Sequence, residues 1–258
     1  MKMFKLLEGG RSPLTGYQWP LPARDGEPGE WTPPVSCVRV GANGYHLLAS
    51  WEETFDEYGH DLWLAEGKGN YDQHRSRVAF EQARLVQRID SFNTGTLRDY
   101  AIWCAKMALS ELPIYLSKIE VLLEYCESGD YNKYHLEQLT NAIDNDWTSF
   151  RTWQASKRWN RFQYYATEAI YTLAKNLGHV PEMMREQPVT LLDKAICRRI
   201  RNNSIDAIVS ARLANAHIDD SISAAMHCEC ERVEPVFASE FEKRLGVRRC
   251  SDSWEVIE

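Results

Sequence analysis

Four side chains in the first 70 residues have types suited to chemistry: Tyr45 and His46 side by side, then Trp63 and Glu66 further on. A carboxylate can stabilise positive charge that develops in a transition state. Glu66 is the candidate for that role, and His46 is the second candidate catalytic residue. A structural reading competes with this one. Neighbours on a strand alternate between its faces, so Tyr45 and His46 would straddle a sheet, one packed and one exposed, with Glu66 at a strand end. The residue pattern favours the structural reading.

A second group contains His217, His227, Cys228, Glu229 and Cys230, all of them metal-capable. The C-x-C spacing is not the C-x-x-C knuckle of structural zinc sites, and no second cysteine pair follows at the usual distance. On a helix, Cys228 and Cys230 point about 200° apart, so no metal site is expected. No cofactor is expected either. The chain lacks GxGxxG, P-loop, G-x-S-x-G, H-E-x-x-H and H-R-D motifs.

Two charged groups bear on partners. Arg151, Trp153, Lys157, Arg158, Trp159 and Arg161, with Arg198, Arg199 and Arg201, combine cations with aromatics as single-strand binders do. The net charge of −7 opposes the counterion release that drives such binding, so nucleic acid is not the expected partner. Glu52, Glu53, Asp56 and Glu57 lie too close together all to be buried. They are the expected surface for binding another protein. A homo-oligomer is compatible with this reading.

The 258 residues suffice for one large domain or two small ones, and 44% hydrophobic with 26% charged residues is ordinary for a globular chain. No apolar run approaches the roughly 20 residues that span a bilayer. Met1-Lys-Met-Phe-Lys-Leu-Leu-Glu8 is not a signal peptide. The seven scattered cysteines read as core residues of a reducing compartment, so a cytoplasmic location without membrane contact is expected.

The elements that must position these residues change character near residue 93. Most of the prolines and glycines precede residue 70. Strands are expected at 3–7, 35–40, 45–48, 61–66 and 83–89, with an irregular Pro/Gly/Trp-rich segment over 11–34. A short helix starts at Ser50, which caps it, with Glu53 at the capping-box position. After residue 93 strand signals vanish. Thr94 or Thr96 caps a helix with the stripe Leu97, Ala101, Cys104, Ala108 and Leu112. Pro113 opens the next, with Ile119, Leu122, Leu123 and Cys126 along it. A shorter helix covers 134–143. The stretch 146–177, free of Gly and Pro, is the expected central helix, its stripe running Ala155, Trp159, Phe162, Ala166, Ile170, Leu173 and Leu177. Four more helices are expected at 191–200, 204–216, 221–230 and 234–245, the last ended by Gly246. The fold class is therefore α+β: a small sheet-containing unit over 1–92, an all-α helical bundle over 93–247 and a loosely held polar tail over 248–258.

Gly44-Tyr45-His46-Leu47, Leu62-Trp63-Leu64-Ala65-Glu66-Gly67 and Ala83-Arg84-Leu85-Val86-Gln87-Arg88 together resemble a family of uncharacterised bacterial and phage domains. Leu97-Arg98-Asp99-Tyr100-Ala101 resembles the helical segment that follows in members called putative immunity proteins. The resemblance covers roughly residues 1–112 and implies a role in bacterial or phage genetic conflict, as an inhibitor or immunity-type protein. A strand with an aromatic and His46, a short helix and a strand with Glu66 are also similar to the element order of ADP-ribosyltransferase-like folds. There a late Glu stabilises the ribosyl cation or activates the acceptor. The Arg or His of the opening strand and the Ser-Thr-Ser strand of those folds are not evident here. A non-enzymatic, protein-binding role is the primary expectation. An ADP-ribosyltransferase-like enzyme or a nucleic-acid-contacting accessory protein is the alternative.

Overall fold

The structure is a computed structural model that describes residues 1–24, 27–110, 117–128, 138, 141, 161–176, 187–216, 223–251 and 253–257. Both sheet and helix are present, so the chain is α+β. It divides into two compact units, one formed by Met1–Thr96, Gln187–Ala195 and Glu242–Glu258, the other by Leu97–Glu186 and Ile196–Phe241.

In the first unit, β1 (Lys2–Leu7), β2 (Tyr45–Leu48), β3 (Asp61–His74) and β4 (Arg77–Arg88) close into an antiparallel barrel in the order β1-β2-β4-β3. Period-two alternation selects its filling. Met3 and Leu7 from β1, Leu47 from β2, Ala65 from β3 and Val78, Phe80, Ala83 and Leu85 from β4 form one core with Trp19. Lys5 falls between Met3 and Leu7 on the same face. Its Nζ donates to the His46 carbonyl at 3.2 Å and lies 5.2 Å from the centre of the Trp19 ring. Burial pulls this ammonium down to about 8.

β3 and β4 are longer than the patterns at 61–66 and 83–89 indicate. They are joined at Arg75-Ser76, with Arg75 in the left-handed region at φ 56°. Without the usual Asn-Gly or Asp-Gly, the hairpin gives little local signal. The strand expected at 35–40 does not form. Val35 donates its N–H to the Glu81 carbonyl at 3.1 Å, Val40 donates to Asp72 Oδ2 at 2.8 Å, and Cys37 sits at φ 57°. These scattered partners replace a ladder.

β2 pairs with β4 only over Arg77–Phe80. Beyond that point the irregular segment takes its place. Gly29, Thr32 and Val35 donate to the carbonyls of Leu85, Ala83 and Glu81 at 2.8, 2.9 and 3.1 Å, and Thr32 Oγ1 accepts from the Ala83 N–H. A Cβ at Gly29 would stand 2.8 Å from the Pro20 carbonyl oxygen, so only glycine fits there.

Residues 248–258, expected as a loose tail, carry instead most of a hairpin of β5 (Val247–Cys250) and β6 (Ser253–Val256). Trp254 is 4% exposed, packs on Phe4 at 4.8 Å and donates its Nε1–H to the Ala49 carbonyl at 3.0 Å. A single buried tryptophan outweighs the polar composition around it.

α1 (Thr94–Ser110) is capped by neither expected threonine. Asn93 Oδ1 accepts the Thr96 N–H at 2.9 Å, while Thr94 Oγ1 donates to the Gln187 carbonyl. In the second unit Leu97, Ala101, Cys104 and Ala108 of the expected α1 stripe are buried, and Leu112 lies outside the described residues. On α2 (Ser117–Ser128), Leu123 and Cys126 are buried, while Pro113, expected to open this helix, and the side chains of Ile119 and Leu122 lie outside what is described. Of the expected central helix, α3 (Arg161–Asn176) is described, and its Ala166, Ile170 and Leu173 are buried. The remainder of 146–177, and the helix expected at 134–143 apart from Gln138 and Asn141, lie outside the described residues. Ala108, Ala166 and Ala207 form one small-residue junction of α1, α3 and α4 (Leu191–Asn215).

The four helices expected after residue 190 are two. α4 is continuous through Arg201-Asn202-Asn203, and α5 (Ser223–Leu245) runs through Pro235. Proline removes one helical hydrogen bond. The loss is offset by Val233, Phe237 and Phe241, all buried at four-residue steps. Phe237 meets Trp103 of α1 edge-to-face at 5.0 Å, Phe241 meets Tyr100 at a tilt at 4.6 Å, and Tyr100 donates its hydroxyl to the Phe237 carbonyl at 3.0 Å. Buried Arg98 of α1 donates to the Cys126 carbonyl near the end of α2, where the helix dipole favours a cation.

Trp254→Ala is expected to lower the stability of the first unit by about 3–5 kcal/mol, the usual cost of truncating a buried tryptophan. Urea midpoints check this. A loss under about 1 kcal/mol, a typical surface effect, would show the C-terminal hairpin to be dispensable.

Candidate functional site

Register places the two candidate catalytic residues apart. His46 of β2 stands opposite Ala79 of β4, and Glu66 of β3 opposite Arg84 of β4. Five residues of strand separate those positions, on the order of 15 Å at about 3.3 Å per residue. One substrate atom cannot meet both.

Glu66 is held by an ion pair. Arg84 Nε and Nη2 both donate to Glu66 Oε2, at 2.8 and 2.7 Å, with each side chain about one-quarter exposed. Two donors from one planar guanidinium make a strong, directional pair. Arg84 also lies over the Trp31 ring at 4.6 Å, and Lys68 Nζ stands 4.2 Å from the same ring centre. Trp31 belongs to the segment that borders β4, so its position follows from barrel closure. The sequence reading missed Trp31, Lys68 and Arg84 as a group. They converge only once the register of β3 and β4 is known.

His46 holds a loop. Its Nε2 accepts the Gly41 N–H at 2.9 Å, which requires a neutral ring with the proton on Nδ1. Beside it, Val40 is held by Asp72, and Asn43 Oδ1 accepts the Gly44 N–H at 3.0 Å. Burial lowers the His46 pKa from 6.5, Lys5 and Arg77 add to the shift, and backbone bonds at Gly44 and Arg39 oppose it. The packed partner of the pair is Tyr45. Its ring meets Trp19 and Tyr17 at 5.6 and 5.5 Å, and its hydroxyl donates to the Pro33 carbonyl.

The acidic residues lie on and just after a 3-10 helix, Trp51–Phe55, with Glu57 in the turn that follows. Ser50 caps it by accepting the Glu52 N–H at 3.2 Å, and its hydroxyl donates to Glu52 Oε2 rather than pairing with Glu53. Three-residue turns place Trp51 and Thr54 inward, with Phe55 beside them, while Glu52 and Asp56 are exposed and Glu53 half-buried. Trp51 Nε1–H donates to Glu242 at 3.2 Å. Glu57 pairs with Arg77 at 2.5 Å. Its carbonyl and that of Gly59 accept from buried Lys194 Nζ, whose pKa burial lowers to about 8. The acidic segment is thus clamped from beneath.

On α5, His227 and Cys228 are exposed, and His227 faces Glu231 at 3.3 Å. His217 lies outside the described residues, among which no three metal-capable side chains converge. Arg151, Trp153, Lys157, Arg158 and Trp159 also lie outside them, as does the side chain of Arg161. Arg198 and Arg199 are exposed on α4, and Arg199 pairs with Glu168. No described helix is long and apolar enough to cross a membrane.

Because the folded protein disfavours protonated His46, its contribution to stability is fully present above pH 6.5 and is lost as pH falls through the lower folded value. Protonation removes the acceptor for Gly41. The protection of the Gly41 amide, measured against its intrinsic exchange rate at each pH, is expected to fall as pH drops through the lowered folded value of the imidazole. Protection that stays unchanged while the His46 ring resonances titrate would contradict the assignment of Nε2 as acceptor.

Comparison with known proteins returns no matching family, no matching curated protein and no matching solved structure.

Proposed function

We propose that the chain acts by binding another protein rather than by catalysis, as an inhibitor or immunity-type factor in bacterial or phage genetic conflict. The observation that carries this reading is that both candidate catalytic groups are engaged in structural bonds. Glu66 is paired with Arg84, and His46 accepts from Gly41, on the order of 15 Å away along the barrel wall. A carboxylate neutralised by a guanidinium is poorly placed to face a developing cation.

The binding surface follows from the same geometry. Glu52, Glu53 and Asp56 project from a segment anchored by Trp51, Phe55, Glu242 and Lys194. Fixed side chains of one sign steer encounter and reject wrong partners, so a basic protein surface is the complementary partner. The conflict setting draws on the resemblance of Gly44-Tyr45-His46-Leu47 and its companion motifs. The seven free thiols suit a cytoplasmic location.

The test is capture of a partner from the producing cell by the parent protein, E52K/E53K/D56K and Glu66→Gln, each checked for folding, beside a direct assay of NAD consumption. The triple reversal is expected to reduce capture at least tenfold, and capture by the parent to weaken with salt. Glu66→Gln is expected to retain capture. NAD consumption by the parent that disappears in Glu66→Gln would establish the enzymatic alternative instead.

A further inference from the structure

A cavity of about 640 Å³ opens where the segment over 34–38 faces the far end of the β3–β4 hairpin. That size lies within the range of sites for small ligands. Pro34, Val35 and Val38 supply an apolar wall, and Tyr71 and Glu81 stand across from it. Tyr71 is unusual for a large aromatic in being 66% exposed, with its ring tilted against Phe80 at 5.9 Å.

Glu81 is oriented before any ligand arrives. One oxygen, Oε2, accepts both the backbone N–H and the side-chain amide of Asn70, each at 3.1 Å. Gly69, at φ 80°, brings the chain so close that a Cβ there would stand 2.7 Å from the same oxygen. Glu81 Oε1 has no hydrogen-bond partner among the described residues. The opposite wall is equally fixed, by the Val35 N–H on the Glu81 carbonyl, Asn43 Nδ2 on the Ser36 carbonyl and Val40 on Asp72. An anchored carboxylate, an open aromatic face and an apolar wall together suit a cation on an aliphatic stem.

We infer that this cavity receives a lysine or arginine side chain of the protein partner, the stem against Pro34, Val35 and Val38 and the charged head at Glu81 Oε1 beside the Tyr71 ring. The inference rests on the protein-binding reading above and supplies its anchor. Charge complementarity selects the occupant: the protein carries a net charge of −7, and the exposed acidic residues call for a basic partner.

The probe is a blocked Gly-Lys-Gly peptide with its arginine counterpart, titrated into isotope-labelled full-length protein and read by amide shifts. Shifts confined to 34–38, 70–71 and 81 are expected at up to about 10 mM, the weak end of specific recognition. Three comparisons accompany it: a norleucine peptide, Glu81→Gln, which keeps the acceptor for Asn70 but removes the charge, and Tyr71→Leu. Each is expected to weaken binding about tenfold or more, with the remaining amide spectrum unchanged. Equal binding of the norleucine peptide, or unaltered affinity in Glu81→Gln, would overturn the inference. So would tighter binding of butylammonium than of either peptide, which would indicate a small-molecule cation instead. These titrations need no partner, so their failure leaves the capture result standing, and failed capture leaves the titrations interpretable.

Discussion

The first unit depends on how the carbonyls of β4 beyond Phe80 are satisfied. A four-stranded barrel has no spare strand, and β2 ends its pairing at Phe80. Unpaired carbonyls at Glu81, Ala83 and Leu85 would each lose hydrogen bonding on burial. The Pro- and Gly-rich segment meets them with three N–H groups spaced every third residue, at Gly29, Thr32 and Val35. That spacing is not a strand's, so prolines are accommodated between the donors. The same run sets Trp31 beneath Arg84 and Lys68, and carries Pro34 to Val38 into the cavity wall. Closure, ion pair and cavity are consequences of one hydrogen-bonding requirement.

A second regularity concerns cations. Lys5, Lys194 and Arg98 each turn a charged head inward, and each meets backbone carbonyls: His46, Glu57 with Gly59, and Cys126. Desolvation disfavours the charged ammonium, which is why Lys5 and Lys194 fall to about 8. Carbonyl acceptors let the protein brace irregular turns and a helix end without burying a carboxylate. Basic residues used inside leave the outer surface more acidic, in keeping with the exposed Glu52 and Asp56.

The α+β class, the strands at 3–7, 45–48 and 61–66 and the described parts of the α1 and α3 stripes were legible because strand and helix periods record which face is buried, whereas closure of the sheet into a barrel was not. Ser50 was legible as a cap for a similar reason: its partners lie within three residues. What was not legible depended on distant partners. The hairpin at Arg75-Ser76 lacks turn residues, and α5 continues through Pro235 because Tyr100 and Trp103 pack on Phe237 and Phe241. The hairpin of β5 and β6 is polar in composition, yet Trp254 finds Phe4. At the site, His46 and Glu66 could be identified as individual side chains. That one would latch a loop and the other would be bound by Arg84 required the register of the barrel, which no local pattern specifies.

Trp254 on Phe4, and the Lys2 N–H on Ser253, join the first strand to residues more than two hundred positions later. Between them lie the 90 residues of Leu97–Glu186 and the run Ile196–Phe241, which belong to the other unit. On a ribosome that makes about 5–20 residues per second, β1 through β4 are synthesised well before their covering hairpin leaves the exit tunnel. Until that hairpin emerges, Phe4 lacks its Trp254 neighbour. The interval is lengthened by everything inserted between the halves, and a ribosome that stalls in the inserted stretch leaves a barrel with its outer apolar face uncovered. Maturation of this unit waits on synthesis of Val247–Val256 as well as on its own strand pairing.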